Sequence, residues 1–427
     1  KNGLTLLVVE RHDLPLIEMR MLVGAGAATD PAGKEGVANL TGRLLRRGTA
    51  TRSAAQFAEE VEFVGGTLEV TVGKEATVVA GEFASRDAEV AFNLMADMLQ
   101  HPAFKAEEFD KERALVLADL VGRLDDPEAL AGQAFDAWLF GSHPYGRPAD
   151  GWQKSVSALT RDDVAAFYGS FYAPNNALLA VVGDIGAGQA AQKVQKYFGD
   201  WKKRAVNEPK LPDVAPLAGR KVLLLDKPDA TQTQIRFGNI ALRRADPDFL
   251  PLEVANAILG RGFTSWLVQE VRVKRGLTYG IDSRLVGRRT AGELVVETFS
   301  RNAAAVETVN VAVEQIRRLA AGPIPPEALA KARNYLAGQY PLRLESPDDL
   351  AEEILQVEFY GLGADYIDQF AKRIQSVGPE SIKRGVRYLP TEGLAIVLVG
   401  PAAQLKEGAA TLGALTVRPL QAALDPL

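Results

Sequence analysis

Cysteine is absent from these 427 residues, which excludes disulfides, thiol catalysis and zinc–thiolate sites together. Histidine is nearly absent too. His12, His101 and His143 are the three present, and no two stand at metal-ligand spacing. Each lies beside turn residues (Asp13, Pro102, Pro144) and reads as a hydrogen-bonded loop side chain. No apolar run approaches the ~18 residues of a membrane-crossing helix. A Gly-x-Ser-x-Gly elbow, a phosphate-binding glycine loop and a Gly-x-Gly-x-x-Gly after a strand are also missing. With them go the commonest hydrolase, nucleotide and dinucleotide readings. A basic surplus is lacking as well: the net charge is −5 and the pI near 5.6, which argues against a nucleic-acid footprint. The basic clusters Arg46-Arg47 and Lys202-Lys203-Arg204 read as solvated faces.

What is present is an ordinary globular composition, 47% hydrophobic and 24% charged, over a length that calls for at least two large domains. The first residues are Lys-Asn-Gly, from which we expect that an upstream segment has been removed. Together with the missing cysteines this favours a periplasmic location, with a cytoplasmic one left open.

The chain is written twice. Gly65-Gly66-Thr67-Leu68 leads into a strand, followed by a β-rich run over 76–83, a helix over 87–99, Pro102 and a helix around 109–120. Gly276-Leu277-Thr278-Tyr279 opens the same series, with a β-rich run over 292–299, a helix over 303–319, Pro323 and a helix through 331–336. The capped helix and buried strand of 160–185, ending in Gly183, return at 378–401, ending in Gly400. Corresponding points lie about 210 to 220 residues apart. Between the copies, 202–220 carries three prolines and many polar groups and reads as an extended linker. We therefore expect domains over 1–201 and 221–427. The class is α+β: two homologous sandwich-like domains, each a mostly antiparallel sheet with helices on one face.

Several motifs stand in a telling order. Residues 36–49 read GVANLTGRLLRRGT, an amphipathic helix followed by Arg-Gly-Thr. Next come His143-Pro144-Tyr145-Gly146-Arg147-Pro148, then Phe167-Tyr168, Phe171-Tyr172-Ala173-Pro174-Asn175-Asn176 and Val182-Gly183-Asp184. Residues 262–280 read GFTSWLVQEVRVKRGLTYG. In this order and spacing they resemble the pitrilysin/insulinase (inverzincin) zinc peptidases, over essentially the whole chain.

The resemblance implies a lost metal site. Active members carry His-x-x-Glu-His on the first helix, where two histidines bind zinc and the glutamate activates water. The matching positions here are Asn39, Gly42 and Arg43. The third ligand, a glutamate some 76 residues later, falls on Asp119, with the family-like pair Glu112-Arg113 seven residues before it. Glu69-Val70 replace the Asn-Ala usual on the substrate-edge strand. The other half of the chemistry is retained. The family's Arg and Tyr, seven residues apart, match Arg272 and Tyr279, and they hydrogen-bond the substrate carbonyl and its oxyanion. Trp266 stands where active relatives often have arginine.

The expectation is thus a non-catalytic subunit. It would hold no metal itself and would lend Arg272 and Tyr279 in trans to a homologous zinc-bearing partner acting on short or unfolded peptides. A structural scaffold, or a peptide-binding protein of the same fold with no peptidase role, is the alternative, and a homodimer that only captures peptides is a third. Retention of the Arg–Tyr pair speaks against the scaffold.

Overall fold

A computed structural model describes residues 2–426 and contains two compact units. The first comprises the chain up to Val121, Arg147–Lys210 and Arg343–Phe359. The second comprises Gly122–Gly146, Leu211–Leu342 and the chain from Tyr360 onward. Among the described residues no helix is long and apolar enough to cross a membrane.

The sheet of the first unit is built from β1 (Thr5–Glu10), β2 (Leu16–Val23), β3 (Glu69–Val72), β4 (Thr77–Ala84) and β5 (Ala177–Gly183), in the order β1-β5-β2-β4-β3. Only β1 and β5 are parallel; the other pairs are antiparallel. Side chains alternate along β2. Ile17, Met19, Met21 and Val23 enter the main core with Leu179 and Val181, under the helices Val37–Leu45, Ala88–Gln100 and Arg161–Phe171.

Leu22, Ala180 and Val182 point the other way and meet Ala351 and Leu355 of the helix Pro347–Phe359. Helices therefore lie on both sheet faces, several on one and this one on the other, where the sequence pattern had suggested a single covered face. The reason is visible in β5, ALLAVVG, whose unbroken apolar run has no polar side to give to water. Each large side chain buried there contributes roughly 1.5–3 kcal/mol.

The helix Pro347–Phe359 is also held by charge. Arg20 donates to Asp348, Glu352 and the buried Glu18. Burial, helped by the Asp348 carboxylate and opposed by Arg20, pushes Glu18 up to about 8. The folded chain thus keeps a proton on Glu18 that an unfolded carboxyl near 4.5 has released. This group's contribution is fully present below about 4.5 and is lost as the pH rises toward about 8. Glu18→Gln is expected to flatten that part of the stability profile, read from urea midpoints at successive pH values. An unaltered slope would contradict the assignment.

The second unit repeats the plan with β6 (Arg220–Asp226), β7 (Gln232–Ala241), β8 (Ile281–Val286), β9 (Gly292–Arg301), β10 (Leu394–Gly400) and β11 (Ala414–Pro419). Its order, β11-β6-β10-β7-β9-β8, is that of the first sheet with one strand added at the edge. The helix against β7 and β10 is Pro127–Phe140, and its Glu128 lies 3.5 Å from the buried Arg236 of β7. Each unit thus includes one helix from the opposite half of the sequence. No helix or strand occurs between Trp201 and β6.

Candidate functional site

The residues singled out fall into two half-sites, one in each unit. In the first, the helix Val37–Leu45 begins at Gly36, whose φ of +98° suits glycine. Asp30 caps it: its carboxylate accepts from the Gly36 and Ala38 amides at 2.7 and 3.0 Å. Arg147 of the HPYGRP loop donates to the Asp30 carbonyl at 2.6 Å. Burial pushes the Asp30 carboxyl up to about 8 against the pull of those amides.

The three motif positions of this helix are filled by other interactions. Asn39 is buried and its Nδ2 has no hydrogen-bond partner among the described residues. At Gly42 a Cβ would stand 2.6 Å from Val72 Cγ2 and 3.2 Å from Val70 Cγ1, so the inner side of β3 occupies the space of a side chain. Arg43 Nε donates to Glu112 at 2.7 Å and Nη1 to Asp119 at 3.3 Å. Arg47 Nε takes the other Glu112 oxygen at 2.5 Å. Glu112 is only 2% exposed, and a buried carboxylate needs such partners. The structure thus brings Arg43 and Asp119 together, and a guanidinium supplies the positive charge there. None of the four positions offers an imidazole, and the one carboxylate among them is engaged by Arg43.

The histidines lie elsewhere. His12 Nδ1 is 2.7 Å from Asp184, and His101 is 3.4 Å from Asp97. His143 bonds the Pro212 carbonyl and accepts from the Tyr145 amide.

In the second half-site, the helix Phe249–Gly260 is followed by a tight stretch with Gly262 at φ +77° and by a π-helix, Val268–Lys274. Val268 and Val271 bury one side of the π-helix, which ends ahead of Gly276 at φ +60°. Such wide turns recur at functional sites because they shift side chains out of α-helical register. Tyr279 stands on a bend just before β8 begins at Ile281. It is 77% exposed, so it is not a packing residue.

Arg272 extends between two rings. Its guanidinium carbon is 4.7 Å from the Tyr279 centroid and 5.2 Å from that of Phe263. Among the described residues it has no hydrogen-bond or ion-pair partner, so all its donors are unspent. Trp266 carries Arg318 over its face at 4.2 Å.

Two features escaped the sequence reading. Phe263, 73% exposed, sits in an irregular stretch that has no periodicity to mark it. The other had a legible signal: Asp30-Pro31 and Val37-Ala38-Asn39 return as Asp246-Pro247 and Val254-Ala255-Asn256. Asn256 is satisfied, bonding the carbonyl and hydroxyl of Ser283. Asn39 occupies the same repeat position without such a partner.

Comparison with known proteins agrees with this architecture. Residues 8–148 match the family described as insulinase (peptidase family M16), and residues 158–336 match the peptidase M16 inactive domain. An uncharacterised zinc protease of Mycobacterium leprae is 30% identical over 404 residues, covering 93% of this chain and 90% of its own. One from Streptomyces coelicolor is 27% identical, over 88% and 83%. A solved structure described as the peptidase M16 inactive domain from Pseudomonas fluorescens superposes with a TM-score of 0.87 at 26% identity, over 93% of this chain and 96% of that one. With a duplicated sheet order, and matches spanning both halves, the chain belongs to the insulinase family of peptidases, M16.

Proposed function

We propose that this chain is the non-catalytic subunit of a two-chain zinc peptidase, holding no zinc itself and completing the site of a homologous His-x-x-Glu-His partner. The observation that carries the reading is the state of Arg272: half-buried, lying between the rings of Phe263 and Tyr279, with no donor used among the described residues. A scaffold gains nothing from an uncommitted guanidinium at a surface. Donors held where a carbonyl oxygen becomes negative stabilise the transition state without reorganising, and arginine suits this because its charge does not titrate. The degenerate first half-site supports the same division. At the position of the motif's water-activating glutamate this chain has an apolar contact at Gly42, and at two of the ligand positions it has an ion pair between Arg43 and Asp119.

In this reading Arg272 and Tyr279 each donate a hydrogen bond to the peptide carbonyl, and the zinc belongs to the partner. The substrates are short or unfolded peptides. The test is peptide hydrolysis by this chain, by a homologue carrying the intact motif, and by the two mixed. Activity appearing only in the mixture is the expected result. Full activity of the homologue alone, unchanged on mixing, would exclude the role.

A further inference from the structure

In the second unit a cleft of about 370 Å³ opens beside the first turn of the helix Phe249–Gly260, bordered by the helices Tyr366–Gln375 and Pro379–Gly385. Three arginines line it, Arg244, Arg373 and Arg384, against one carboxylate, Asp246. The Arg244 guanidinium carbon is 4.7 Å from the Phe249 centroid and 5.2 Å from that of Tyr366, and its Nη2 donates to the Tyr366 hydroxyl at 2.9 Å. Both rings are core side chains; they orient the guanidinium and are not themselves ligand surface. Arg373 gives Nη2 to Asp365 and Arg384 gives Nε to Asp248, both at 2.9 Å. Each arginine thus keeps two nitrogens with no partner among the described residues. The same holds for the Ser381 hydroxyl on the wall. Asp246 takes the Asp248 amide on Oδ1 at 2.9 Å and keeps Oδ2 unengaged.

The internal duplication shows that the fold does not require these groups. Asp30-Pro31 corresponds to Asp246-Pro247, which sets Ala28 against Arg244. In the helices Arg161–Phe171 and Pro379–Gly385, buried Val164 corresponds to buried Ile382, which sets Ala166 against Arg384. Tyr145-Gly146-Arg147 returns as Tyr360-Gly361-Leu362, so leucine stands where the first copy has the arginine that bonds the Asp30 carbonyl. A solvated basic face would account for Arg384, which is exposed. It does not account for Arg244, half-buried between two rings and without an ion pair among the described residues.

Unspent guanidinium nitrogens from three side chains suit the oxygens of a phosphate monoester, which carries about −1.5 to −2 charge at pH 7. A carboxylate oxygen in the same cleft repels a bare phosphate but accepts a hydroxyl. We propose that this cleft binds a sugar phosphate monoester, with Arg244, Arg373, Arg384 and Ser381 on the phosphate and Asp246 Oδ2 accepting a sugar hydroxyl. The volume lies within the range of small-ligand sites. The proposal shares no residue with the Arg272–Tyr279 site and stands whether or not that reading holds.

The experiment is calorimetric titration of the full chain with glucose 6-phosphate, ribose 5-phosphate, glucose and inorganic phosphate. At least one sugar phosphate is expected to bind saturably, about tenfold or more tightly than inorganic phosphate, and glucose is not expected to bind. Arg244→Ala and Arg384→Gln should each weaken it about tenfold or more. Arg384 is exposed, so its variant tests the site even where losing the stacked Arg244 disturbs the fold. Asp246→Asn should narrow the gap between sugar phosphate and inorganic phosphate. No saturable binding of either sugar phosphate, inorganic phosphate or glucose binding as tightly, or indifference to Arg384→Gln would each overturn the proposal. So would a phosphoserine tripeptide binding as tightly, since the site would then read the phosphate alone.

Discussion

Arg272→Ala in this chain is expected to lower kcat/KM of the mixed peptidase by about 100- to 1000-fold, the usual consequence of removing one preorganised oxyanion donor, about 2.7–4 kcal/mol. The fall should appear mainly in kcat, because the lost bond strengthens as charge develops on the carbonyl oxygen. Arg272→Lys should recover only part of the rate, since an ammonium lacks the planar fork. Tyr279→Phe removes one O–H donor and keeps the ring that Arg272 stacks on, so it separates donation from positioning. Phe263→Ala keeps both donors but frees the guanidinium on one side. Its effect should be smaller and should be recovered by Phe263→Tyr. The thermal midpoint of the isolated chain should barely move for Arg272→Ala, because that side chain makes no hydrogen bond or ion pair among the described residues. A mixture that keeps full activity with both Arg272→Ala and Tyr279→Phe would sink the proposed role.

Writing the metal motif back, with Asn39→His, Gly42→Glu and Arg43→His, is expected to damage the fold and not to restore a zinc site. A side chain at Gly42 begins 2.6 Å from Val72 Cγ2, and overpacking of this kind costs about 1–3 kcal/mol. Placing a carboxylate among Val70 and Val72 without a hydrogen-bond partner adds about 1–3 kcal/mol. Arg43→His also takes one of two partners from Glu112. Gly42→Glu alone should therefore cost about 3 kcal/mol, a large share of the roughly 5–15 kcal/mol that holds a domain folded. Urea midpoints of the single and triple variants, with zinc content measured on the triple, decide the matter. A triple variant of unchanged midpoint holding one equivalent of zinc would show that the helix still has room for its lost chemistry.

The duplication and the α+β class were legible because both rest on periodic patterns and on turn signals that recur at a fixed distance, such as Gly65-Gly66 against Gly276 and the strands ending at Gly183 and Gly400. The helix against the far face of each sheet was not legible. Nothing local to Pro127–Phe140 or Pro347–Phe359 records which sheet it will cover, because that choice depends on contacts far away in sequence. In the candidate sites, Arg272 and Tyr279 were reachable through their seven-residue spacing and sequence context. The π-helix that holds Arg272 was not, since VQEVRVK carries no residue that forbids an ordinary helical turn. The sequence shows Arg43 only as the residue standing at a histidine position of the motif. Its ion pairs with Glu112 and Asp119 emerge only when two separate helices are placed side by side.

The interleaving of the units sets a limit on how this molecule can be dissected. A cut anywhere in 202–220 separates the halves of the sequence, yet it strips the first sheet of Pro347–Phe359 and the second of Pro127–Phe140. The amino-terminal fragment would present Leu22, Ala180 and Val182 to water beside an Arg20 that has lost Asp348 and Glu352. Such a fragment recovers its cover only by borrowing a helix from another chain. Two half-length fragments mixed together are therefore expected to restore that cover only by exchanging Pro347–Phe359 and Pro127–Phe140.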